Sequence, residues 1–423
     1  MANRWPRILS CVAVLAICAG LVTFGTLPWR EQQVTKRIAA GGAPRIEIPW
    51  AAVAARRAAR RLLLHEADDR APGAVRLLEY STRVRPLHAP SWLDRALAES
   101  SRGESAAARR HLDVSEVLWP ARRRHLWRLA RARIHTADRD GALRALRNVL
   151  RVDPERTLEA FALARRVEVD PAEQIRQLLP RGRDEKGREG HLARLLRRKC
   201  EPEHRELVEA AWLSLSPQSR SDRQLTSFYV GCLVDLREWD RAGALWDPHA
   251  PASRATASIT NGDFELPPVQ SGLGWRIGTP PGASWRRDER VVYEGASSLR
   301  LDFDGSPDLD YHHASQLVLV SPGQRYRLTA RWKGEGLESF SRPYLEVASR
   351  EPGQSLRVTS PAPQEPRWDW QPLAIDFQTG DRTRLLLVRL RRDPGAQAGD
   401  RISGRLWLDA LRLEPRDAEA MHE

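Results

Sequence analysis

Two hydrophobic periods divide the sequence into two parts. Apolar residues recur every three or four positions from about Pro49 to Trp246, and every second position from about Thr260 to Pro415. The first period is typical of amphipathic helices and the second of strands with one buried face. Between them, residues 247–259 hold two prolines and few large apolar side chains, which predicts a linker. The pattern therefore predicts an all-α part over residues 49–246 and an all-β part over residues 260–415.

A period of 34 residues runs through the first half of the helical part. It is visible in three sets of residues: Ala74, Ala108 and Ala142; Leu78, Leu112 and Leu146; Pro86, Pro120 and Pro154. A small residue is needed where two helices approach closely, and a leucine four positions later lies on the same helix face. A proline then ends the second helix. The period therefore predicts repeated helical hairpins.

These residues resemble the tetratricopeptide repeat, in which a small residue, a large apolar residue and a closing proline have this spacing. The VDPE sequence at 152–155 resembles its inter-repeat turn, and Trp92 and Trp127 lie near its first-helix aromatic position. The glycine and tyrosine of the first helix are mostly absent, and the two tryptophans are 35 residues apart. The resemblance is good over residues 51–154 and loose over residues 157–246. It implies an α-solenoid over residues 49–246 whose concave surface docks a protein partner. The alternative is that the hairpins only pack against their neighbours.

The all-β part contains short alternating runs such as SSLRLDF, RYRLTARW and RLLLVRL, separated by Gly, Pro, Asp and Ser. Seven or eight strands without intervening helices predict an antiparallel β-sandwich of the jelly-roll type. Five segments in order resemble carbohydrate-binding modules with a galactose-binding-like jelly-roll fold: NGDFE at 261–265, GW at 274–275, GASSLRLDF at 295–303, SPGQRYRLTARWK at 321–333 and LWLDALRL at 406–413. The resemblance implies a glycan-binding domain over residues 260–415, or a relative of that fold that is only structural.

Strand parity sorts the side chains of the sandwich into buried and exposed sets. Tyr344 and Glu346 alternate with apolar residues and should face outward. Trp368 and Trp370 should also face outward if no bulge intervenes, and Arg389 can share that surface. Aromatic rings stack on the C–H faces of sugars and arginine donates forked hydrogen bonds, so these five residues form the predicted glycan platform. The alternative is that the tryptophans plug the ends of the sandwich. The predicted core residues are Leu299, Leu301, Phe303, Tyr326, Leu328, Ala330, Trp332, Leu345, Val347, Leu373, Ile375 and Phe377.

Asp409 poses a separate problem, because it alternates in phase with Trp407 and Leu411 and would direct a carboxylate toward the buried side. A buried charge needs a partner. The resemblance implies a structural calcium ion between the first and last strands, for which Glu265 and Asp409 are the matching carboxylates. An arginine salt bridge is the alternative.

The segment Ile8–Trp29 carries no charged residue and is long enough to cross the hydrocarbon core of a bilayer as a helix. It is longer than the apolar region of a cleaved signal peptide and has no convincing cleavage site. We predict a cytoplasmic stub over residues 1–7, a transmembrane helix over 8–29, a linker over 30–48 and a tail over 416–423. Basic residues flank the segment on both sides, so its orientation is less firmly indicated. The predicted location is the bacterial inner membrane, in a single pass, with the bulk of the chain extracytoplasmic.

The net charge of the 423-residue chain is +13, and nearly all of its basic residues are arginines. Because they are scattered among acidic residues rather than gathered in a stripe, we predict no nucleic-acid partner, and expect some attraction to anionic lipid or acidic polysaccharide. Only Cys200 and Cys232 lie outside the apolar segment, so at most one disulfide is available there, and two buried thiols are the alternative. Their spacing does not predict a zinc site.

Taken with the resemblances, these features predict a non-catalytic, membrane-anchored adaptor. It would dock an envelope protein through the solenoid and a polysaccharide through the sandwich, in envelope or exopolysaccharide assembly or export. One alternative is a purely protein–protein scaffold whose sandwich no longer binds sugar. A second is an unrecognised polysaccharide hydrolase, which would need two carboxylates flanking a cleft, and no signature pair is present in the sequence.

Overall fold

The computed structural model describes residues 32–40, 49–64, 71–167, 170–180, 185–197, 200–246, 259–395 and 400–416. The predicted cytoplasmic stub and transmembrane helix, residues 1–29, lie outside this described part. Among the helices that are described, none is both long and apolar enough to cross a membrane. The chain forms two compact units, Met1–His191 and Leu192–Glu423.

The first unit is a series of helical hairpins, as predicted. Helices α1 and α2, α3 and α4, and α5 and α6 pack against each other in pairs. An aspartate at the N-cap starts α6, where the side chain of Asp138 accepts a hydrogen bond from the amide of Gly141 at 3.1 Å. The helices are α1 Pro49–Leu64, α2 Ala71–Val84, α3 Ala89–Ser100, α4 Ser105–Leu118, α5 Arg123–His135, α6 Arg139–Val152, α7 Thr157–Ala164, α8 Pro171–Leu178 and α9 Glu185–Leu196, the last of which ends in the second unit.

The 34-residue period marks the helix contacts of the first three hairpins. The alanines and leucines that carry it are completely buried: Ala74, Leu78, Ala108, Leu112, Ala142 and Leu146. Each pair lies on the second helix of its hairpin, where the alanine permits close approach and the leucine fills the space beside it. The prediction of the repeat from its spacing is confirmed for these residues.

Part of the predicted linker 30–48 is helical. Residues 32–39 form a short helix, and Ile38 is buried in a cluster with side chains of α1 and α2. The guanidinium group of Arg76 donates to the carbonyl oxygen of Ala39 at 2.8 Å, which ties the end of this helix to α2. The sequence predicts a linker here because the segment precedes the first clear hairpin, and Val34 and Ile38 are too weak a signal to indicate a helix.

In the described part of the second unit, four further α-helices precede the sandwich. They are α10 Arg205–Leu213, α11 Pro217–Arg220, α12 Arg223–Asp235 and α13 Trp239–Trp246. A disulfide joins Cys200 to Cys232 of α12, with their Cα atoms 4.8 Å apart. The division into compact units therefore falls at residue 191, before these helices, whereas the change from helix to strand lies after Trp246, as predicted.

Helices α12 and α13 pack against the segment that leads into the sandwich. The amide group of Gln224 donates to the carbonyl of Val269 at 2.8 Å, and the hydroxyls of Ser227 and Ser271 form a hydrogen bond. The indole of Trp246 donates to the hydroxyl of Thr260 at 2.8 Å. These contacts make the last helical hairpin part of the same compact body as the strands.

The sandwich consists of two five-stranded antiparallel sheets. The first has the order β1-β4-β9-β6-β7 and the second β2-β3-β10-β5-β8. Every predicted core residue named above is buried between them, with at most 8% of its surface exposed. The strands are β1 Arg276–Ile277, β2 Ala283–Asp288, β3 Ser298–Pro307, β4 Tyr311–Leu319, β5 Arg325–Glu338, β6 Tyr344–Ser349, β7 Arg357–Thr359, β8 Trp368–Gln378, β9 Leu385–Arg392 and β10 Arg401–Arg416.

Candidate functional site

Three of the five predicted platform residues meet on the outside of the first sheet. The register places Glu346 of β6 directly opposite Arg389 of β9, and their charged groups are 2.5 Å apart. Arg357 of β7 binds the other carboxylate oxygen of Glu346 at 2.7 Å. The two arginines enclose Glu346, whose side chain is completely buried, so the prediction of an exposed carboxylate is wrong. Glu346 instead fixes the guanidinium groups of Arg357 and Arg389, and the side chain of Arg357 is 59% exposed.

Tyr344 lies on the same face, two residues before Glu346 in β6. Its hydroxyl is 2.5 Å from a carboxylate oxygen of Asp393, which also binds Arg391 at 2.7 Å. Burial, together with the hydrogen bond and negative charge of Asp393, raises the pKa of Tyr344. The phenol therefore stays protonated at neutral pH and is held in place by the carboxylate. We name the outward face formed by Tyr344, Glu346, Arg357, Arg389 and Arg391 the sheet-one face.

Trp368 points into the core, and the prediction that it faces outward is wrong. Its side chain is 6% exposed and belongs to the core, where its ring packs edge-on against Trp332 at 5.6 Å between centroids. The register between β5 and β8 shifts between Trp332 and Gly334, where two steps along β5 face three along β8. The extra residue reverses the alternation of β8, so Trp368 points inward although it is out of phase with Leu373.

Trp370 lies on the second sheet, away from the other platform residues. It is half-buried, and its ring centroid is 5.8 Å from that of Tyr293 in the connection between β2 and β3. The guanidinium group of Arg331 lies 4.7 Å from the centre of the Tyr293 ring. The five predicted residues are therefore divided among the sheet-one face, the core and the second sheet. Strand parity correctly predicts whether most side chains point inward or outward. It does not predict the sheet to which each strand belongs.

A cavity of about 740 Å³ lies at one end of the sandwich. None of the five residues predicted from the sequence lines it. At this cavity lies Phe340, in the connection between β5 and β6, whose side chain is 89% exposed. The polar lining includes carboxylates and guanidinium groups: Asp304, Glu338, Arg342, Asp400 and Arg401. A large apolar residue in the polar sequence ESFSRP was the available signal, since it fits no strand pattern. We name this cavity the Phe340 pocket.

A buried ion pair holds the connection that carries Phe340. Arg392 and Asp400 are 2.8 Å apart, with their side chains 0% and 1% exposed. The carboxylate of Asp400 accepts hydrogen bonds from the backbone amides of Phe340 at 3.2 Å and Ser341 at 3.1 Å. The guanidinium group of Arg392 donates to the carbonyl of Ser341 at 3.0 Å. The side chain of Phe340 is therefore exposed, while hydrogen bonds to Asp400 and Arg392 hold the backbone of its segment in place.

A second cavity, of about 390 Å³, lies beside the buried tryptophans. Trp332 and Trp368 form part of its wall, and the proline-rich segment Pro361–Glu365 forms another part. The indole nitrogen of Trp368 is buried and has no hydrogen-bond partner. The cavity offers apolar contact surface but few charged groups.

The two predicted calcium ligands bind the same connecting segment between β2 and β3. The carboxylate of Asp409 accepts from the amides of Tyr293 at 2.9 Å and Glu294 at 3.2 Å, and that of Glu265 accepts from Ala296 at 2.7 Å. Burial raises the pKa of Asp409, and these amide hydrogen bonds oppose the shift. Asp409 is buried, but it alternates with the core residue Leu408 and so lies on the opposite side of the strand.

Backbone amides, rather than arginine, thus compensate the carboxylate of Asp409. The amides use only some of the lone pairs of the two carboxylates. The calcium ion between Glu265 and Asp409 stays a prediction. Elsewhere in the described chain, the ligand atoms of Glu201, Glu203 and His204 lie within 4.8 Å of one another, but both glutamates are exposed and such groupings are common without a metal.

No family model matches the chain, and no curated protein matches it. Among solved structures, the chain is similar to a family 16 carbohydrate-binding module, at 20% identity and a TM-score of 0.26 over 37% of this chain and 98% of that one. A xylan-binding CBM22-1 domain from Paenibacillus barcinonensis Xyn10C gives 17% identity and a TM-score of 0.24, over 34% of this chain and 86% of that one. The first TPR of Spaghetti (RPAP3), bound to an HSP90 peptide, gives 16% identity and a TM-score of 0.24, over 28% of this chain and 92% of that one. Carbohydrate-binding modules and tetratricopeptide repeats, the two families that the motifs resemble, are therefore both present among the similar structures. Such low identities and TM-scores carry over no ligand or activity.

Proposed function

We propose that the protein is a non-catalytic adaptor whose sandwich binds a glycan and whose helical hairpins dock a protein partner. The observation that carries the glycan part is the Phe340 pocket. An exposed phenylalanine forgoes roughly 1.5–3 kcal/mol of burial energy. Here the ring stands beside a cavity with polar side chains, which is the combination of apolar and polar groups that ligand sites use. The ring of Phe340 is exposed and its backbone is fixed by Asp400.

The chemistry of the Phe340 pocket matches that of a sugar. A sugar presents apolar C–H faces, which pack on an aromatic ring, and hydroxyls that both donate and accept hydrogen bonds. The pocket supplies acceptors in Asp304 and Glu338 and donors in Arg342 and Arg401. Because Asp400 is neutralised by Arg392, these four charges cancel, which favours a neutral polyol over a strongly charged ligand. The volume of about 740 Å³ is within the usual range for ligand sites.

The sheet-one face is a second candidate surface for the same glycan. Its guanidinium groups on Arg357 and Arg389 are held by Glu346, and Tyr344 is held by Asp393. Pre-positioned donors lose little side-chain entropy when a ligand binds. Both donors, however, already form ion pairs, so this face has less free hydrogen-bonding capacity than the Phe340 pocket.

A non-catalytic role is supported by two of the three carboxylates of the pocket, Asp304 and Asp400. A glycosidase needs a general acid with a raised pKa opposite a second carboxylate. Hydrogen bonds from the hydroxyl and amide of Ser306 instead lower the pKa of Asp304. Asp400 is committed to Arg392 and to two backbone amides.

The remaining parts of the proposal concern docking and location. Repeated hairpins such as those of the first unit expose a continuous face of first helices, which suits an extended protein segment. The apolar segment Ile8–Trp29 supports a membrane anchor, and the Cys200–Cys232 disulfide supports an oxidising, extracytoplasmic environment. The role would then be in envelope or surface-polysaccharide assembly or export.

The glycan part is tested by screening the full chain, in neutral detergent, against an array of bacterial and plant polysaccharides and oligosaccharides. The variant F340A should lose most of the glycan binding of the wild-type chain, because the substitution removes the stacking surface. A matched control is L266A, since Leu266 is another exposed large apolar residue of the sandwich, 49% exposed. Loss of retention in R389A and Y344A, but not in F340A, would instead move the site to the sheet-one face.

A protein–protein scaffold with a sandwich that binds no sugar is the alternative, and the burial of Trp368 favours it, because one predicted stacking residue is thereby removed. Absence of retention of every glycan by the folded wild-type chain would support the scaffold and reject the glycan proposal. Release of reducing ends from a retained polysaccharide would reject the non-catalytic role.

A further inference from the structure

Two aromatic rings meet beside the outer face of the second sheet. Tyr293, in the connection between β2 and β3, and Trp370 of β8 have ring centroids 5.8 Å apart. Tyr293 is 43% exposed and Trp370 is half-buried. Because the inner faces of the two sheets pack together, this place lies on the opposite side of the sandwich from the sheet-one face. The rings therefore offer apolar contact surface that none of the sites described above uses.

Arg331 of β5 completes the group. Its guanidinium group lies 4.7 Å from the centre of the Tyr293 ring. Arg331 alternates with the core residues Ala330 and Trp332, so its side chain points outward. A guanidinium group that stacks on a ring uses its flat face and leaves the N–H groups at its edge free. Within the described chain, the side chain of Arg331 forms no hydrogen bond and no ion pair, so these donors are open to a ligand.

The cations next to Arg331 differ from it, because each of them binds a carboxylate. Lys333, two residues later on the same face of β5, lies 2.6 Å from Asp369. Arg412 of β10 lies 2.5 Å from Glu294, the residue after Tyr293. Ion pairing thus occupies the neighbouring positive groups and leaves the donors of the central one available.

Asp409 holds the segment that carries Tyr293. Its carboxylate accepts hydrogen bonds from the backbone amides of Tyr293 at 2.9 Å and Glu294 at 3.2 Å. Asp409 stands opposite Arg331 in the register between β10 and β5, but in the described residues its partners are amides and not the guanidinium group. The exposed ring of Tyr293 is therefore carried by a fixed backbone, which reduces the entropy lost when a ligand binds.

We propose that Tyr293, Trp370 and Arg331 form an additional glycan site, and that it binds a hexuronate unit of an acidic polysaccharide. The C–H face of the pyranose ring packs on the aromatic rings, and the carboxylate accepts two parallel hydrogen bonds from Arg331. This inference rests on the proposed glycan-binding role of the sandwich. It adds a second sugar chemistry, because the Phe340 pocket favours a neutral polyol.

The combination of two rings with one guanidinium group favours a uronate over an acidic peptide. The carboxylate of a glutamate or aspartate stands on a flexible chain that covers no aromatic ring. In a uronate, the carboxylate is attached directly to a rigid ring. One sugar unit can therefore contact the rings and the guanidinium group together.

The test measures the fluorescence anisotropy of labelled decagalacturonate on addition of the full chain in neutral detergent. The comparison ligand is its methyl ester, which has the same sugar rings without the charges. We expect the acid to bind roughly tenfold or more tightly than the ester, because the ester accepts no charge-assisted hydrogen bond. Deca-glutamate, which has the charges without the sugar rings, should bind much more weakly than decagalacturonate.

Matched variants separate this site from a general attraction of charges. R331Q should weaken binding of decagalacturonate roughly tenfold, which corresponds to about 1.4 kcal/mol. The control is R327Q, which removes the same charge from the same face of β5, where Arg327 already binds Asp376 at 2.7 Å. It should change binding less than about twofold, because that guanidinium group is already paired. Y293L should also weaken binding, whereas Y293F keeps the ring and should bind like the wild type.

Several results would overturn the proposal. They are equal effects of R331Q and R327Q, unchanged binding in Y293L, equal binding of the acid and its ester, and binding of deca-glutamate as tight as that of decagalacturonate. F340A should leave decagalacturonate binding unchanged; its loss in F340A but not in R331Q would assign the uronate to the Phe340 pocket. If the wild-type chain retains neutral glycans but not decagalacturonate, only this inference fails. If the chain retains no glycan, the proposed function fails with it.

Discussion

Trp368 packs directly onto the backbone of Gly334. A methyl group placed on Gly334 would lie 2.2 Å from the nearest atom of the Trp368 ring, far inside van der Waals contact. The two residues are paired across β5 and β8, just beyond the register shift. The absence of a side chain at residue 334 therefore creates the space that the indole fills, and with it the inward orientation of Trp368.

The first prediction follows from this contact. Gly334→Ala should lower the free energy of unfolding by about 1–3 kcal/mol or more, because the ring and the strand must move apart. Chemical denaturation followed by circular dichroism measures the change. Gly73→Ala, in helix α2, is the control, since its new methyl group would meet only ordinary contacts at 3.8 Å or more; it should not destabilise the chain and should stabilise the helix by up to about 1 kcal/mol. In the double variant with Trp368→Leu, the added cost of the alanine should shrink; fully additive effects would contradict the contact.

The second prediction concerns the ion pair beneath the Phe340 pocket. Asp400→Ala leaves Arg392 charged and buried, and removal of one partner of such a pair costs about 3–5 kcal/mol. The same change frees the amides of Phe340 and Ser341, so glycan retention should fall together with stability. Arg327→Ala breaks an exposed pair with Asp376 and should lower the stability far less, because solvent screens an exposed pair. Similar losses from the two variants would show that the buried pair contributes no more than a surface pair.

The third prediction is a loss of stability in mild acid that depends on His88. Burial, followed by the charges of Arg56 and Arg85, lowers the pKa of His88 from 6.5 to about 4. The unfolded chain then binds a proton near pH 6.5 that the folded chain does not bind until about pH 4, so stability falls as the pH falls through this window. His88→Gln should flatten the dependence of the melting temperature on pH between these values. An unchanged slope would show that other groups cause it, such as His125, whose pKa burial also lowers.

The candidate sites differ in how far the local sequence predicts them. Alternation in β6 correctly separated Leu345 and Val347 from Tyr344, because a strand has only two faces. It did not show that Arg357 and Arg389 cover Glu346, since those residues come from strands that are neighbours only in the folded sheet. The Phe340 pocket was missed for the same reason, because its walls come from four separate connections and strand ends.

The sequence by itself determined the order of elements, the 34-residue register of the hairpins and the core of the sandwich. These features follow from hydrophobic periods of three to four and of two, which are local properties of helices and strands. Only the tertiary structure decided the inward position of Trp368, the burial of Glu346 and the meeting of Tyr293, Arg331 and Trp370. The first depends on a bulge, and the other two on contacts between side chains that are far apart in the chain. The free energy of such contacts depends on distance and burial, which are set by the packing of whole elements.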